Sequence, residues 1–511
     1  LIKMTIVSKI YRFYSTRRIK MLDLNRKDPI SFQRGLFETF MKKGGETIFG
    51  KEHKIREGMT LREFQNSVPL RDYDKHENWI TRARSGEENL LWPGRTVWFA
   101  KSSGTSSSKS KFIPITDESL NLCHYDGMQN MLSTYIHNNP DSKLLEGMAL
   151  TLGGSAKIDE AGDGRTQYGD LSAILLKNSP ILAEFRRTPP AEIALISDFE
   201  KKVDEICRVA SKQNVTSISG VPSWNLILLN AILKYNGKKD LREVWPNLEL
   251  FMHGGISFDP YRKEYLRIIP HGDMNYMENY NASEGYFAFQ DDPSDSSMLL
   301  MTNGGVFYEF IPIDKLEEAL EGRFKEFETV ESVRKGVNYA MVITTNGGLW
   351  RYLIGDSVVF TSLFPHKISI TGRTQLFINA FGEELMISNA ERALSKTCNI
   401  CDCSVENYTV APLFMEEGGK GSHQWIIEFK IPPADLELFA NTLDEEVCKV
   451  NSDYEAKRAN SVTMTRLSVV PLPEGTFYRW MKESGKLGGQ NKVPRLNNGR
   501  KFADKLLEYI K

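Results

Sequence analysis

The stretch Ser102-Ser103-Gly104-Thr105-Ser106-Ser107-Ser108-Lys109-Ser110-Lys111 places hydroxyls, a glycine and two lysines directly behind an apolar run, Thr96 to Ala100. A polar loop leaving a strand in this way can wrap backbone N–H groups and cations around a polyphosphate. It is not a Walker loop, since G-x-x-x-x-G-K-[ST] demands glycines at 103 and 108, where serines stand. A serine-rich linker would read the same way locally. Further on, Tyr280-Asn281-Ala282-Ser283-Glu284-Gly285-Tyr286 sets an aromatic ring, a hydroxyl and a carboxylate close together. Magnesium that accompanies ATP usually takes one or two protein carboxylates plus phosphate oxygens, and Glu284 is suited to that; a solvated turn acid is the ordinary alternative. In Trp350-Arg351-Tyr352-Leu353-Ile354-Gly355-Asp356 the aspartate sits where it can accept from both hydroxyls of a ribose, or simply form a turn after glycine. Gln490-Asn491-Lys492-Val493-Pro494-Arg495, behind Gly488-Gly489, makes a basic loop near the C-terminus.

Other chemistry finds little support. Cys398, Cys401 and Cys403 hint at zinc, but no second cysteine or histidine pair stands at useful spacing. No H-E-x-x-H or G-x-S-x-G occurs, so neither a zincin nor an α/β serine hydrolase is indicated.

The elements that must position these segments are mixed. Strand-like runs lie at Thr96 to Ala100, Met148 to Leu152, Val215 to Ser219, Leu248 to His253, Met298 to Thr302, Val306 to Phe310, Tyr339 to Thr345 and Leu349 to Tyr352, between helix-length amphipathic segments. The turns Asn303-Gly304-Gly305 and Asn346-Gly347-Gly348 predict hairpins, because Asn-Gly supplies positive φ. The fold class is therefore α/β: a large N-terminal domain of mixed sheets with flanking helices, and a smaller α/β cap. The pattern changes near His366 to Glu384, which places the boundary between residues 1–370 and 371–511. A helix is expected after Pro222, with Trp224, Leu228 and Ile232 on one face.

Composition narrows the partners. With 65 Lys and Arg against 66 Asp and Glu in 511 residues, the net charge of -1 offers no overall attraction for nucleic acid or a membrane surface, so partners must be argued from local sites. Six cysteines in so long a chain fit a reducing, cytoplasmic setting rather than a disulfide framework. The longest uncharged stretch, Gln213 to Leu233, is broken by Gly220, Pro222, Asn225 and Asn230, so no membrane span is expected. Residues 1 to 20 carry Lys3, Lys9, Arg12, Arg17, Arg18 and Lys20 without an acid, interleaved with apolar side chains. They predict an amphipathic first helix packed on the body; a targeting peptide would have a similar composition.

In order and content the four segments resemble the acyl-adenylate-forming superfamily, specifically its auxin-responsive branch, the plant-type acyl acid amido synthetases and their bacterial relatives. That family has an S-S-G-T loop, Tyr-Ala-Ser-Ser-Glu, Tyr-Arg-x-Gly-Asp and a late Gln-Tyr-Lys-x-Pro-Arg; the counterparts here begin at Ser102, Tyr280, Tyr352 and Gln490. Phe112-Ile113-Pro114-Ile115-Thr116, Gly220-Val221-Pro222-Ser223-Trp224, Gly254-Gly255 and Tyr308-Glu309-Phe310-Ile311-Pro312 extend the similarity. Ser108 stands where the family has a second glycine, Asn281 and Ala282 replace Ala and Ser, Leu353 replaces Arg, and Asn491 replaces Tyr.

The resemblance implies a ligase that adenylates a small carboxylic acid with ATP and Mg²⁺ and transfers the acyl group to an amino acid, through a small domain that is mobile. It implies that Ser102, Ser103, Gly104 and Thr105 cradle phosphates, that Gly254, Gly255 and the segment Tyr280, Asn281, Ala282, Ser283, Glu284, Gly285, Tyr286 line the nucleotide, and that Glu284 holds Mg²⁺. Asp356 would fix the ribose, Arg373 would lie at the pivot, and Lys492 would neutralise oxygens around the α-phosphate, with Lys486 as the rival lysine. Trp224 and Leu228 would border the acyl acid. A thiol acceptor such as coenzyme A, or a nucleotide-binding protein without turnover, are the other readings.

Overall fold

The computed structural model describes residues 2–102, 111–154, 156–158, 164–196, 198–256, 258–373, 377–415, 420–459, 463–484 and 493–510. Its centre is an eleven-stranded sheet in the order β12-β13-β14-β15-β11-β10-β9-β8-β7-β3-β6. The strands are β3 Met148–Thr151, β6 Arg187–Thr188, β7 Val215–Gly220, β8 Leu250–Gly254, β9 Asn275–Ala282, β10 Gly285–Phe289, β11 Met298–Leu300, β12 Val306–Pro312, β13 Asn338–Thr345, β14 Tyr352–Leu363 and β15 His366–Arg373. From β12 across to β9 neighbours pair antiparallel; from β9 to β6 they pair parallel. In the parallel half β3 and β8 are mostly apolar, MALT and LFMHG, whereas β7, VTSISG, buries a threonine and a serine between its apolar residues.

Beside it stands a four-stranded sheet, order β2-β1-β5-β4, built from β1 Trp98–Ser102, β2 Lys111–Ile115, β4 Ala156–Ile158 and β5 Gln167–Gly169. The small domain holds β16 Phe377–Ile378 paired with β17 Leu385–Met386, and a three-stranded sheet of β18 Ser404–Leu413, β19 Ser422–Ile431 and β20 Ser468–Leu472. One apolar core runs from Leu150, Ile218 and Phe251 of the large sheet into Ile378, Phe381, Val410 and Trp425 of the small domain. The loop between β16 and β17 is held from both sides. The Tyr261 hydroxyl donates to the Ala380 carbonyl, and Glu383 accepts from the backbone N–H of Ala380 at 3.1 Å and of Phe381 at 2.6 Å. Glu383 also meets His423 Nε2 at 2.7 Å, with both side chains fully enclosed.

One of the two hairpin expectations is corrected. Asn346-Gly347-Gly348 does join paired strands, β13 and β14, with Gly348 at φ +93°. Asn303-Gly304-Gly305 instead carries the chain from β11 to β12, which lie at different places in the sheet, although Gly305 has φ +72°. Positive φ was read correctly; the strand partners were set by distant sequence. The first segment is a helix, Ile2–Lys27, whose Ser15, Ile19, Leu22 and Asn25 are buried against the body. Helix Pro222–Asn236 starts on proline and ends at Gly237 with φ +62°, the asymmetry that proline and glycine impose on helix ends.

Candidate nucleotide and acid site

Ser102 closes β1 and pairs directly with Lys111, the first residue of β2, so the two strands form an antiparallel pair on either side of residues 103–110. Ser103, Gly104, Thr105 and Ser108 themselves lie outside the described residues, as do Lys486, Gln490, Asn491 and Lys492. The hairpin base is tied to the segment Trp350 to Asp356. Phe112 N–H donates to the Tyr73 hydroxyl at 2.8 Å, and two residues earlier Arg71 bridges to Tyr352, the first residue of β14. The Tyr352 hydroxyl lies 3.5 Å from Glu284 Oε1, and the His76 ring meets Tyr352 edge-on, 5.5 Å between centroids.

Glu284 sits in a two-residue turn. Ala282 pairs with Gly285, leaving Ser283 and Glu284 at the tip of the β9–β10 hairpin. Behind the tip, the Tyr280 hydroxyl donates to Asp356 Oδ2, with both residues buried. The Tyr280 ring is held against Phe287 at 4.8 Å. In a flat sheet β9 and β14 would stand four steps of ~4.8 Å apart, beyond a tyrosine's reach, so this bond requires the sheet to curl over. Asp356 is also directly opposite Arg373, the last residue of β15. Segments separated widely in sequence are thus linked by a chain of contacts, from the β1–β2 hairpin through Tyr73 and Arg71 to Tyr352 and Glu284, with Tyr280 bonded to Asp356 and Asp356 opposite the backbone of Arg373.

Alternation along the strand splits the Tyr280 segment between two faces. Asn281 and Tyr286 are cross-strand partners on the face away from Asp356. Asn281 Oδ1 is 3.1 Å from His124 Nδ1, and Cys123 Sγ accepts from Tyr286 N–H at 3.2 Å. The Tyr286 ring is packed where any Cβ on Gly127 would overlap it, and Tyr286 is 1% exposed. Cys123 and His124 belong to a π-helical turn, Leu120–His124, a rare geometry that recurs at functional sites. Burial pushes His124 down to about 4 and the Cys123 thiol up to about 12, so both are neutral near pH 7.

The two glycines at the end of β8 have separate local reasons. A Cβ on Gly254 would overlap the Asn279 carbonyl oxygen and approach Asn279 Oδ1 to 2.8 Å, so this glycine serves strand packing. Gly255 has φ +82°, where a side chain is strained. On the helix behind them, Leu228 and Ile232 are fully buried in the core. Trp224 is half-buried, with Lys457 Nζ of the small domain 4.7 Å from its ring centroid.

Sequence reasoning passed over Tyr73, His76 and His124, whose significance comes only from partners far along the chain. It also grouped Arg351 with the ribose segment without a role. Arg351 is buried at φ +45°, paired with Glu309 at 2.9 and 3.0 Å, and donates to the carbonyls of Gln65 and Val68 at 2.9 and 2.8 Å. It anchors the start of β14, and so fixes Tyr352 and Asp356.

The class follows from this architecture. It is shared with the solved AtGH3.15 acyl acid amido synthetase in complex with 2,4-DB, with a TM-score of 0.60 at 16% identity over 97% of this chain and 96% of that one. The chain belongs to the GH3 family, whose N-terminal domain matches residues 18–274, central domain 299–373 and C-terminal domain 388–501. Among its relatives, indole-3-acetic acid-amido synthetase GH3.6 of Arabidopsis thaliana is 23% identical over 91% of this chain and 88% of its own length. Jasmonoyl–L-amino acid synthetase JAR4 of Nicotiana attenuata is 23% identical over 69% of this chain and 70% of its own.

Proposed function

We propose that this protein joins a small carboxylic acid to an amino acid through an acyl-adenylate, using ATP and Mg²⁺. A carboxylate does not acylate an amine at neutral pH, because oxide is a poor leaving group. Attack of the carboxylate on the α-phosphate of ATP expels pyrophosphate and leaves a mixed anhydride, from which the amine then displaces AMP. The observation that supports the reading most is the buried Tyr280–Asp356 bond, formed by the same strands that carry Glu284 and Tyr352.

In this reading Asp356 receives the ribose hydroxyls, with its carboxylate oriented by Tyr280. Gly254 and Gly255 lie toward the adenine. Ser102 and the loop Ser103, Gly104 and Thr105 hold the phosphates, and Lys492 meets the charge that builds at the α-phosphate. Trp224 borders the acid. Glu284 suits magnesium: its carboxylate stands at the tip of the β9–β10 turn beside the Tyr352 hydroxyl, and phosphate oxygens would complete the shell. Among the described residues there is no group of three or more candidate metal-ligating side chains. The bound ion would neutralise phosphate oxygens.

We place the pivot of the small domain after β15, at Arg373, three residues beyond the division between 1–370 and 371–511 that the sequence pattern suggests. Support comes from the end of the large sheet at Arg373 and the match of the family's C-terminal domain from 388. All six cysteines are free, which favours the cytoplasm. No helix among the described residues is long and apolar enough to cross a membrane.

The test is acid-stimulated exchange of labelled pyrophosphate into ATP, followed by a screen of acids and amino acids with products identified by mass. Amide products support the proposal. Exchange that yields only thioesters with coenzyme A would make it a thiol-acylating enzyme, and no exchange with any acid would leave a nucleotide-binding protein without turnover.

A further inference from the structure

The helix Ile2–Lys27 turns one face inward through Ser15, Ile19, Leu22 and Asn25. Two basic side chains tie it to the body: Arg12 donates to the Ser142 carbonyl at 2.8 Å and Arg18 pairs with Asp126 at 2.8 Å. The outward face is unusual. Ile10, Phe13, Tyr14, Met21 and Leu24 are 64%, 66%, 41%, 50% and 53% exposed. At 3.6 residues per turn these five fall within about 100° of arc. Arg17 stands in the middle of the arc, over the Phe13 ring at 5.1 Å, and Lys9, Lys20 and Lys27 line one edge, all exposed. No acid is exposed on the helix from Lys9 to Lys27: the single acid there, Asp23, is half-buried and paired with Arg26 at 2.8 Å.

Large exposed apolar side chains gathered on one helix face mark an interaction surface rather than ordinary scatter. The charge selects the partner. A chain whose net charge is -1 has put an uninterrupted basic and aromatic face on one helix, with lysines along the edge of an apolar stripe. That is the arrangement of a helix lying in a lipid–water interface, with apolar side chains entering the acyl boundary and lysines reaching anionic headgroups. A second copy of this chain would bring the same positive charges against themselves. We propose that this face docks the protein on an anionic bilayer surface, with the helix lying along the surface.

The test is flotation of the full chain with vesicles of phosphatidylcholine alone or with about a third phosphatidylserine, at low and high salt. Binding is expected only to the anionic vesicles, weakened by salt because the attraction is screened. Each basic side chain near the surface contributes roughly fivefold. A Lys9→Gln/Lys20→Gln/Lys27→Gln variant should therefore bind about a hundredfold more weakly. A Phe13→Glu/Leu24→Glu variant should lose binding altogether, while its melting temperature and pyrophosphate exchange stay those of the parent chain. Absence of binding to anionic vesicles overturns the proposal, as does equal binding to neutral ones or full binding by the Phe13→Glu/Leu24→Glu variant. Concentration-dependent dimers that this variant abolishes would assign the face to self-association instead. The exchange assay is independent of the vesicles, so failure here leaves the proposed chemistry untouched.

Discussion

Tyr280→Phe tests the core of the proposed site. The ring would keep its place against Phe287, 4.8 Å away, so almost no apolar area changes. What is lost is one hydroxyl donating to the buried carboxylate of Asp356. A hydrogen bond to a charged group contributes about 1.5 to 3 kcal/mol, and the better part of that should appear where Asp356 must present its oxygens in a fixed direction. ATP binding, followed by titration calorimetry, should weaken by about 10- to 100-fold, since ~1.4 kcal/mol is tenfold. Asp356→Asn should weaken it at least as much. The decisive quantity is the double variant. If Tyr280 acts on the nucleotide through Asp356, the two losses overlap and the coupling exceeds about 1 kcal/mol; independent sites add to within ~0.5 kcal/mol. Additive losses, or unchanged ATP affinity in Tyr280→Phe, would refute the assignment of this pair to the ribose.

Glu284→Gln should remove most of the magnesium dependence of nucleotide affinity while sparing affinity without magnesium; equal stimulation by the ion in both proteins would take Glu284 out of its shell. Lys492→Ala should lower pyrophosphate exchange about 10²- to 10³-fold, as for loss of one preorganised donor, with an unaltered melting curve; full exchange would shift attention to Lys486. Glu309→Gln strips Arg351 of its buried partner and should cost about 3 to 5 kcal/mol of stability, seen as a lower chemical-denaturation midpoint. Acid should also destabilise the fold. His124 and His76 are pushed down by burial to about 4 and about 3, whereas the unfolded chain takes up these protons near 6.5. Stability from these two is therefore intact above pH 6.5 and declines as pH falls toward the folded values, by about 1.4 kcal/mol per pH unit for each histidine. Denaturation midpoints compared at pH 7.5 and 5 should reveal the slope, and His124→Gln should flatten it; an unchanged slope would count against a neutral buried His124.

The strands were readable because apolar runs bounded by polar turns carry their own signal, and most of those runs became strands within a few residues. Pairing was not readable. The Asn303 turn has the same local chemistry as the Asn346 turn, yet β11 pairs with β10 and β15 while β12 pairs with β13. Backbone angles are decided by a few residues, whereas sheet neighbours are decided by contacts tens of residues away. The curl that brings Tyr280 to Asp356 is likewise a property of the whole sheet.

Around the site, residue types marked the right segments but not which way each side chain points. Period-two alternation sends Tyr280 toward Asp356 and its neighbour Asn281 toward His124, so half of a contiguous segment serves the framework. This gives the replacement of alanine by Asn281 a physical account. An asparagine on that face needs a partner, and the π-helical turn supplies one in His124 Nδ1 at 3.1 Å. His124, neutral at pH 7, can donate Nδ1–H to Oδ1 without introducing charge behind the hairpin. The departure at 281 is thus answered from the far face, which leaves Tyr280 and the turn at Glu284 free to keep their register while the sequence behind them changes.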